Sequence, residues 1–209
     1  WKFKKSNKTA IKKISKNHNL SQPVAQVLYS RGFSTDKKIR EFLFCTFDQK
    51  KHHPKKMQGL YAAAERILQA IKQKEKILIF GDYDVDGITS TSILLLALIP
   101  LGANINYFLP NRERDGYGLS KKIVQKAASS GYKLIINVDN GITAFDGAKE
   151  AKAKSIDLII TDHHKPQDEL PEALAVVNPN RKDCKYPFKS LAGVGVAFKL
   201  AEMIYEIKN

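Results

Sequence analysis

Cysteine is scarce: Cys45 and Cys184 are the only two in 209 residues, and they share no CxxC spacing. That argues against a disulfide scaffold and a cysteine-based zinc site, and it fits a reducing, cytoplasmic compartment. Long hydrophobic runs are also absent. The longest, Ile93 to Leu101, is interrupted by Pro100 and is far too short to span a bilayer, so no membrane partner is expected. No signal peptide is legible, because Lys2, Lys4, Lys5 and Lys8 are followed by more lysines. No GxxxxGK[ST] loop and no GxSxG elbow occur, which argues against a nucleotide-driven motor and a serine nucleophile. No internal repeat or low-complexity stretch is visible. The chain begins with Trp1 rather than Met, which leaves its natural N-terminus open.

What is present describes a globular protein. Hydrophobic residues make up 43% and charged residues 27%, enough for a core that needs no covalent staple. The net charge of +14 is unevenly spread. Residues 1–56 hold 15 lysines and arginines against three acidic residues, a surplus of +12, whereas the remaining 153 residues carry only +2. A basic segment on a nearly neutral domain suggests a polyanionic partner, although a solvated lysine-rich surface would look the same.

Within the basic segment, Val24, Val27 and Leu28 before Arg31-Gly32 predict a short helix with a glycine stop. Ser34 is placed to cap a second helix over Thr35–Phe44, with Ile39, Phe42 and Leu43 on one face. Phe33, Phe42 and Phe44 are expected in a core, and Trp1, Phe3 and Tyr29 are candidates to stack on bases. Lys50-Lys51-His52-His53-Pro54 reads as a linker. The division is therefore a basic, mainly helical segment over 1–56 and a second domain over 57–209.

From Met57 the pattern alternates. Leu60 to Ile71 forms a helical stripe, and Lys76–Phe80 is a short apolar strand ending at Gly81. Helices are expected at 88–101, 119–129, 144–154 and 192–207, and strands at 105–109, 134–138, 158–161 and 173–177. Helices between short apolar strands imply right-handed crossovers, hence an α/β fold with a mostly parallel sheet flanked by helices.

Three polar clusters follow strands: Gly81-Asp82-Tyr83-Asp84-Val85-Asp86-Gly87, Asp139-Asn140-Gly141 and Asp162-His163-His164. Open parallel sheets bind ligands beyond their carboxyl ends, so the clusters should converge. Gathered carboxylates repel unless a cation offsets them, and Asp with His but no Cys suits Mn²⁺ or Mg²⁺. Helix capping is an alternative for each Asp, most of all for Asp139 taken alone. An EF-hand is ruled against by the missing closing glutamate and by the strand before the loop. Arg112 and Arg114, beside Gly116-Tyr117-Gly118, lie in a polar loop where glycine lets a backbone approach phosphate and arginine can grip it. A surface turn with solvated arginines is the alternative.

In this order on strand ends, Asp-Tyr-Asp-Val-Asp-Gly, Val-Asp-Asn-Gly and Asp-His-His resemble the DHH phosphoesterase superfamily. Further stretches, Pro110-Asn111-Arg112, Asn178-Pro179 and Leu191 to Lys199, resemble its single-strand-specific 5′→3′ exonuclease branch. Phe80 stands where pyrophosphatase-like relatives carry His, which points the same way. The resemblance implies two Mn²⁺ or Mg²⁺ ions held by Asp84, Asp86, Asp139 and His163, with Asp139 as the bridge and Asp82 as an added ligand or supporting carboxylate. It implies that His164 faces the scissile phosphate and that Asp162 orients its neighbours, while Arg112, Arg114 and Gly116 of the polar loop are the candidate substrate contacts. Single-stranded DNA is the expected partner, with other repair proteins as further candidates, and DNA repair and recombination the expected setting. The family's fourth-motif aspartate and accessory domain are expected beyond Asn209, so the chain is read as the N-terminal portion of the enzyme, with its activity in isolation left open. A catalytically silent nucleic-acid-binding or scaffold protein, or a short-oligonucleotide or dinucleotide phosphodiesterase, are the alternatives.

Overall fold

The computed structural model describes residues 7–46, 52–111, 116 and 118–209. The chain divides into two compact units, 1–51 and 52–209. The boundary lies five residues earlier than the expected one after Lys56. The reason is that Pro54 and Met57 are buried and Lys55 pairs with Glu206 at 2.8 Å, so the short 3₁₀ turn Pro54–Lys56 belongs to the second unit.

Among its described residues the first unit has three helices, α1 (Lys8–His18), α2 (Gln22–Ser30) and α3 (Asp36–Leu43). Helix α1 escaped the sequence reading because only Ile11 and Ile14 of its 11 residues are buried, and four of the others are lysines. Its start signal is Asn7, whose Oδ1 accepts from the amide of Ala10 at 3.0 Å. Ile11, Ile14, Ala25, Leu28 and Ile39 make a small core of their own. Thr35, not Ser34, caps α3 through the amide of Lys38. Phe42 and Phe44 are 58% and 60% exposed, against the expectation of a core. Helix α3 has already ended at Phe44, and Phe42 lies at the edge of this core, its ring centroid 4.5 Å from that of the half-buried Phe33.

The second unit is a five-stranded parallel sheet, β1 (Lys76–Phe80), β2 (Asn104–Phe108), β3 (Tyr132–Val138), β4 (Asp157–Thr161) and β5 (Ala175–Val177), in the order β2-β1-β3-β4-β5. Its helices are α4 (Leu60–Lys72), α5 (Val85–Leu98), α6 (Lys121–Ser129), α7 (Phe145–Ala153) and α8 (Gly193–Lys208). Alternation along the strands feeds two layers. Ile77, Ile79, Leu134, Ile136, Val138 and Ile159 pack in the layer that holds residues of α4, α5 and α8. Leu78, Phe80, Ile135, Leu158 and Ile160 pack in the layer that holds residues of α6 and α7. The central strands are thus buried on both faces, which is why they read as unbroken apolar runs.

Register then decides where the loops emerge. Phe80 pairs with Asn137, Val138 with Thr161, and Thr161 with Val177, so β1, β3, β4 and β5 end side by side. The expected α/β architecture, with parallel strands ending at one edge, is the observed one. Among the described residues, no helix is long and apolar enough to cross a membrane.

Candidate metal centre

The loop after β1 turns directly into α5. Asp84 caps that helix, its Oδ1 accepting from the amide of Gly87 at 2.9 Å. A Cβ on Gly87 would stand about 2.5 Å from the backbone of Asp82, so only glycine lets the helix start fold back on the strand end. Asp82 is buried and its Oδ1 accepts from the amide of Tyr83 at 2.7 Å. Burial, followed by the charge of Asp84, holds its carboxyl above the usual range, partly offset by that amide. Asp86 sits in the first turn of α5, and its Oδ1 accepts from the amide of Val194, near the start of α8, at 3.3 Å.

Asp139 lies one residue past β3 at φ 62°, a left-handed conformation that Asp tolerates better than most residues. Its amide donates to the carbonyl of Thr161 at 2.8 Å, which holds it level with the end of β4. It is 1% exposed, and its Oδ1 has no hydrogen-bond partner among the described residues. His163 Nε2 stands 3.3 Å away without hydrogen-bonding geometry, and 4.0 Å from Oδ2 of Asp86. The Asp139 carboxyl is pushed up to about 8, first by burial, then by contact with Asp84 and the charges of Asp84, Asp86 and Asp162. A buried carboxylate among carboxylates, with an unpartnered oxygen and a histidine nitrogen beside it, fits a divalent cation. One ligand atom each of Asp139, His163 and His164 lies within 4.8 Å of the others.

Asp162 does different work. Its Oδ1 accepts from the amides of His163 (2.7 Å) and His164 (3.0 Å) and lies 2.7 Å from His164 Nδ1, while Oδ2 accepts from the amide of Ile142 at 3.0 Å. With every contact a donor, the carboxylate orients both histidines. It also fixes the proton of His164 on Nδ1, leaving Nε2 free to act.

Further residues that sequence reasoning missed complete the frame. Asn178 donates Nδ2 to the His164 carbonyl at 2.9 Å, and Asn180 donates Nδ2 to the His163 carbonyl at 2.6 Å. Gly193 opens α8 against Asp139, where a Cβ would lie 1.9 Å from Oδ1. Asn178-Pro179 and the stretch around Gly193 were visible as motifs, but their roles depend on contacts across the fold. Of the expected substrate contacts, Gly116 is exposed at φ 76°, and Arg112 and Arg114 lie outside the described residues.

The family model for the "DHH family, N-terminal domain" matches residues 76–209. The chain is 45% identical over 204 residues to the single-stranded-DNA-specific exonuclease RecJ of Bacillus subtilis (strain 168), covering 98% of this chain and 26% of that protein. The Escherichia coli (strain K12) protein of the same name is 48% identical over 145 residues, 69% of this chain and 25% of its own length. A crystal structure of exonuclease RecJ bound to manganese superposes with a TM-score of 0.68 at 35% identity, covering 73% of this chain and 39% of that one. The chain thus spans about a quarter of the length of the curated relatives it matches.

Proposed function

The chain belongs to the DHH family, and from that premise we propose that it forms the metal-binding domain of a 5′→3′ exonuclease of the RecJ type, hydrolysing phosphodiester bonds in single-stranded DNA. The observation that carries this reading is the unpartnered, buried Oδ1 of Asp139, set among Asp84, Asp86 and His163. Asp84, Asp86, Asp139 and His163 would hold two ions, Mn²⁺ or Mg²⁺, with Asp82 as an added carboxylate. Bound divalent ions supply a water acidic enough to attack phosphorus near neutral pH, and positive charge against the phosphoryl oxygens.

The chain's own side chains do the rest. Asp162 keeps the His164 proton on Nδ1, so Nε2 of this half-exposed ring is presented to the scissile phosphate. Asn178 and Asn180 hold the backbone of the two histidines still, which keeps that nitrogen in place. Arg112 and Arg114, beside the exposed Gly116, grip strand phosphates. The setting is cytoplasmic, in DNA repair and recombination, with other repair proteins as partners.

The test uses the protein that carries this domain, Mn²⁺, and single strands labelled at either end. Stepwise release of nucleotides from the 5′ end, lost in Asp139→Ala, is expected. Release from the 3′ end, or equal cleavage by that variant, would overturn the reading.

A further inference from the structure

The first unit holds a cavity of about 570 Å³ between the last turn of α1 and the end of α3. Asn17, His18 and Asn19 line one side, and Arg40, Glu41, Phe44 and Cys45 the other. The cavity is held open by local structure. Asn19 ends α1 in a left-handed conformation at φ 51°, and the Leu20 amide then donates back to the Ser15 carbonyl at 2.9 Å. His18, whose side chain is 3% exposed, binds Oδ1 of Asp36 through Nε2 at 2.9 Å and ties the end of α1 to the start of α3.

The lining has a particular chemistry. Phe44 leaves an aromatic ring 60% exposed at the rim, although it follows a helix whose neighbouring Ile39 is fully buried. An exposed ring beside amide groups matches what an unstacked nucleobase needs: a flat face, and donors and acceptors for its edge. Arg40 adds a planar fork suited to phosphate. The described part of this unit carries eight lysines and arginines against two acidic residues.

We propose that this cavity is a nucleotide-binding site for single-stranded DNA, separate from the metal centre, holding one unstacked base against Phe44 with a flanking phosphate on Arg40. The choice of DNA rests on the exonuclease reading; the base-and-phosphate chemistry does not. A duplex keeps its bases stacked and offers nothing to the ring, so the site selects single strands.

Fluorescence anisotropy with a labelled 15-mer of deoxythymidine, in EDTA and about 50 mM salt, tests the proposal on the whole chain. EDTA removes metal-dependent binding and cleavage, so failure of the catalytic reading would leave this result standing. Phe44→Ala should raise Kd about 5- to 100-fold, and Phe44→Tyr should restore it. Arg40→Ala should raise Kd and reduce the slope of log K on log salt by about one. Unchanged affinity in both alanine variants, or equal affinity for a duplex of the same length, would overturn the site. Tighter binding of the uridine 15-mer would overturn its assignment to DNA.

Discussion

A Cβ built on Gly193 falls 1.9 Å from Oδ1 of Asp139. The start of α8 therefore sits against the carboxylate expected to serve as a ligand, and the same helix start sends the Val194 amide to Asp86. Gly193→Ala would drive a methyl into the Asp139 side chain, so either the carboxylate or the helix start that faces it must shift. The expected result is a folded protein whose Mn²⁺ affinity has dropped about 10- to 100-fold, as for loss of a group that positions a ligand. Circular dichroism with calorimetric titration checks it.

Asp162 gathers four donors on one buried carboxylate. Asp162→Ala would leave three backbone amides without an acceptor, each costing about 1–3 kcal/mol when buried. We expect a loss of at least about 3 kcal/mol, read from urea unfolding, together with loss of activity. His164→Ala leaves those amides bonded and should keep stability within about 1 kcal/mol while removing activity.

Asp139 also sets a pH dependence. Its carboxyl is held near 8 in the folded, metal-free chain, against an ordinary value of 3.8. The folded state therefore takes up a proton as pH falls through about 8, while the unfolded chain does so only near 3.8. Metal-free stability should rise as pH falls across that window, and the contribution is lost as pH rises through 8. Melting of the metal-free protein at pH 6 and pH 9 should show this difference, and Asp139→Asn should shrink it. Saturating Mn²⁺ should shrink it as well, since the cation replaces the proton.

At the other end of the strands, Arg66 donates Nε to Asp157 at 2.6 Å and Nη2 to Glu75 at 2.7 Å. These bonds tie α4 to the starts of β1 and β4, far along the strands from the ligand loops. Arg66→Ala should cost about 1–3 kcal/mol in urea unfolding, because Asp157 keeps partial access to water. Mn²⁺ affinity should not change.

Strand β1 is Lys76–Phe80 as read from its apolar run, because a strand buried on both faces has no polar alternation to blur its limits. Convergence of the clusters after β1, β3 and β4 also followed from topology alone. Helix α1 was hidden because its short apolar stripe supports only a small local core. Phe42 and Phe44 look like core by composition, but α3 stops before Phe44, and Phe42 meets Phe33 at the edge of a core too small to cover it. Asn180 and the Val194 amide could not be assigned from spacing, since their contacts bridge 17 and 108 residues.

The central claim is that the carboxylates at the strand ends, with His163, form one divalent-cation site built around Asp139. Calorimetric titration of Mn²⁺ into the parent chain and Asp139→Ala, at one pH above 8, tests it most directly, because no proton then competes with the ion for Asp139 of the parent. The account predicts measurable binding by the parent and its loss in the variant. Equal affinity in the two proteins would contradict it.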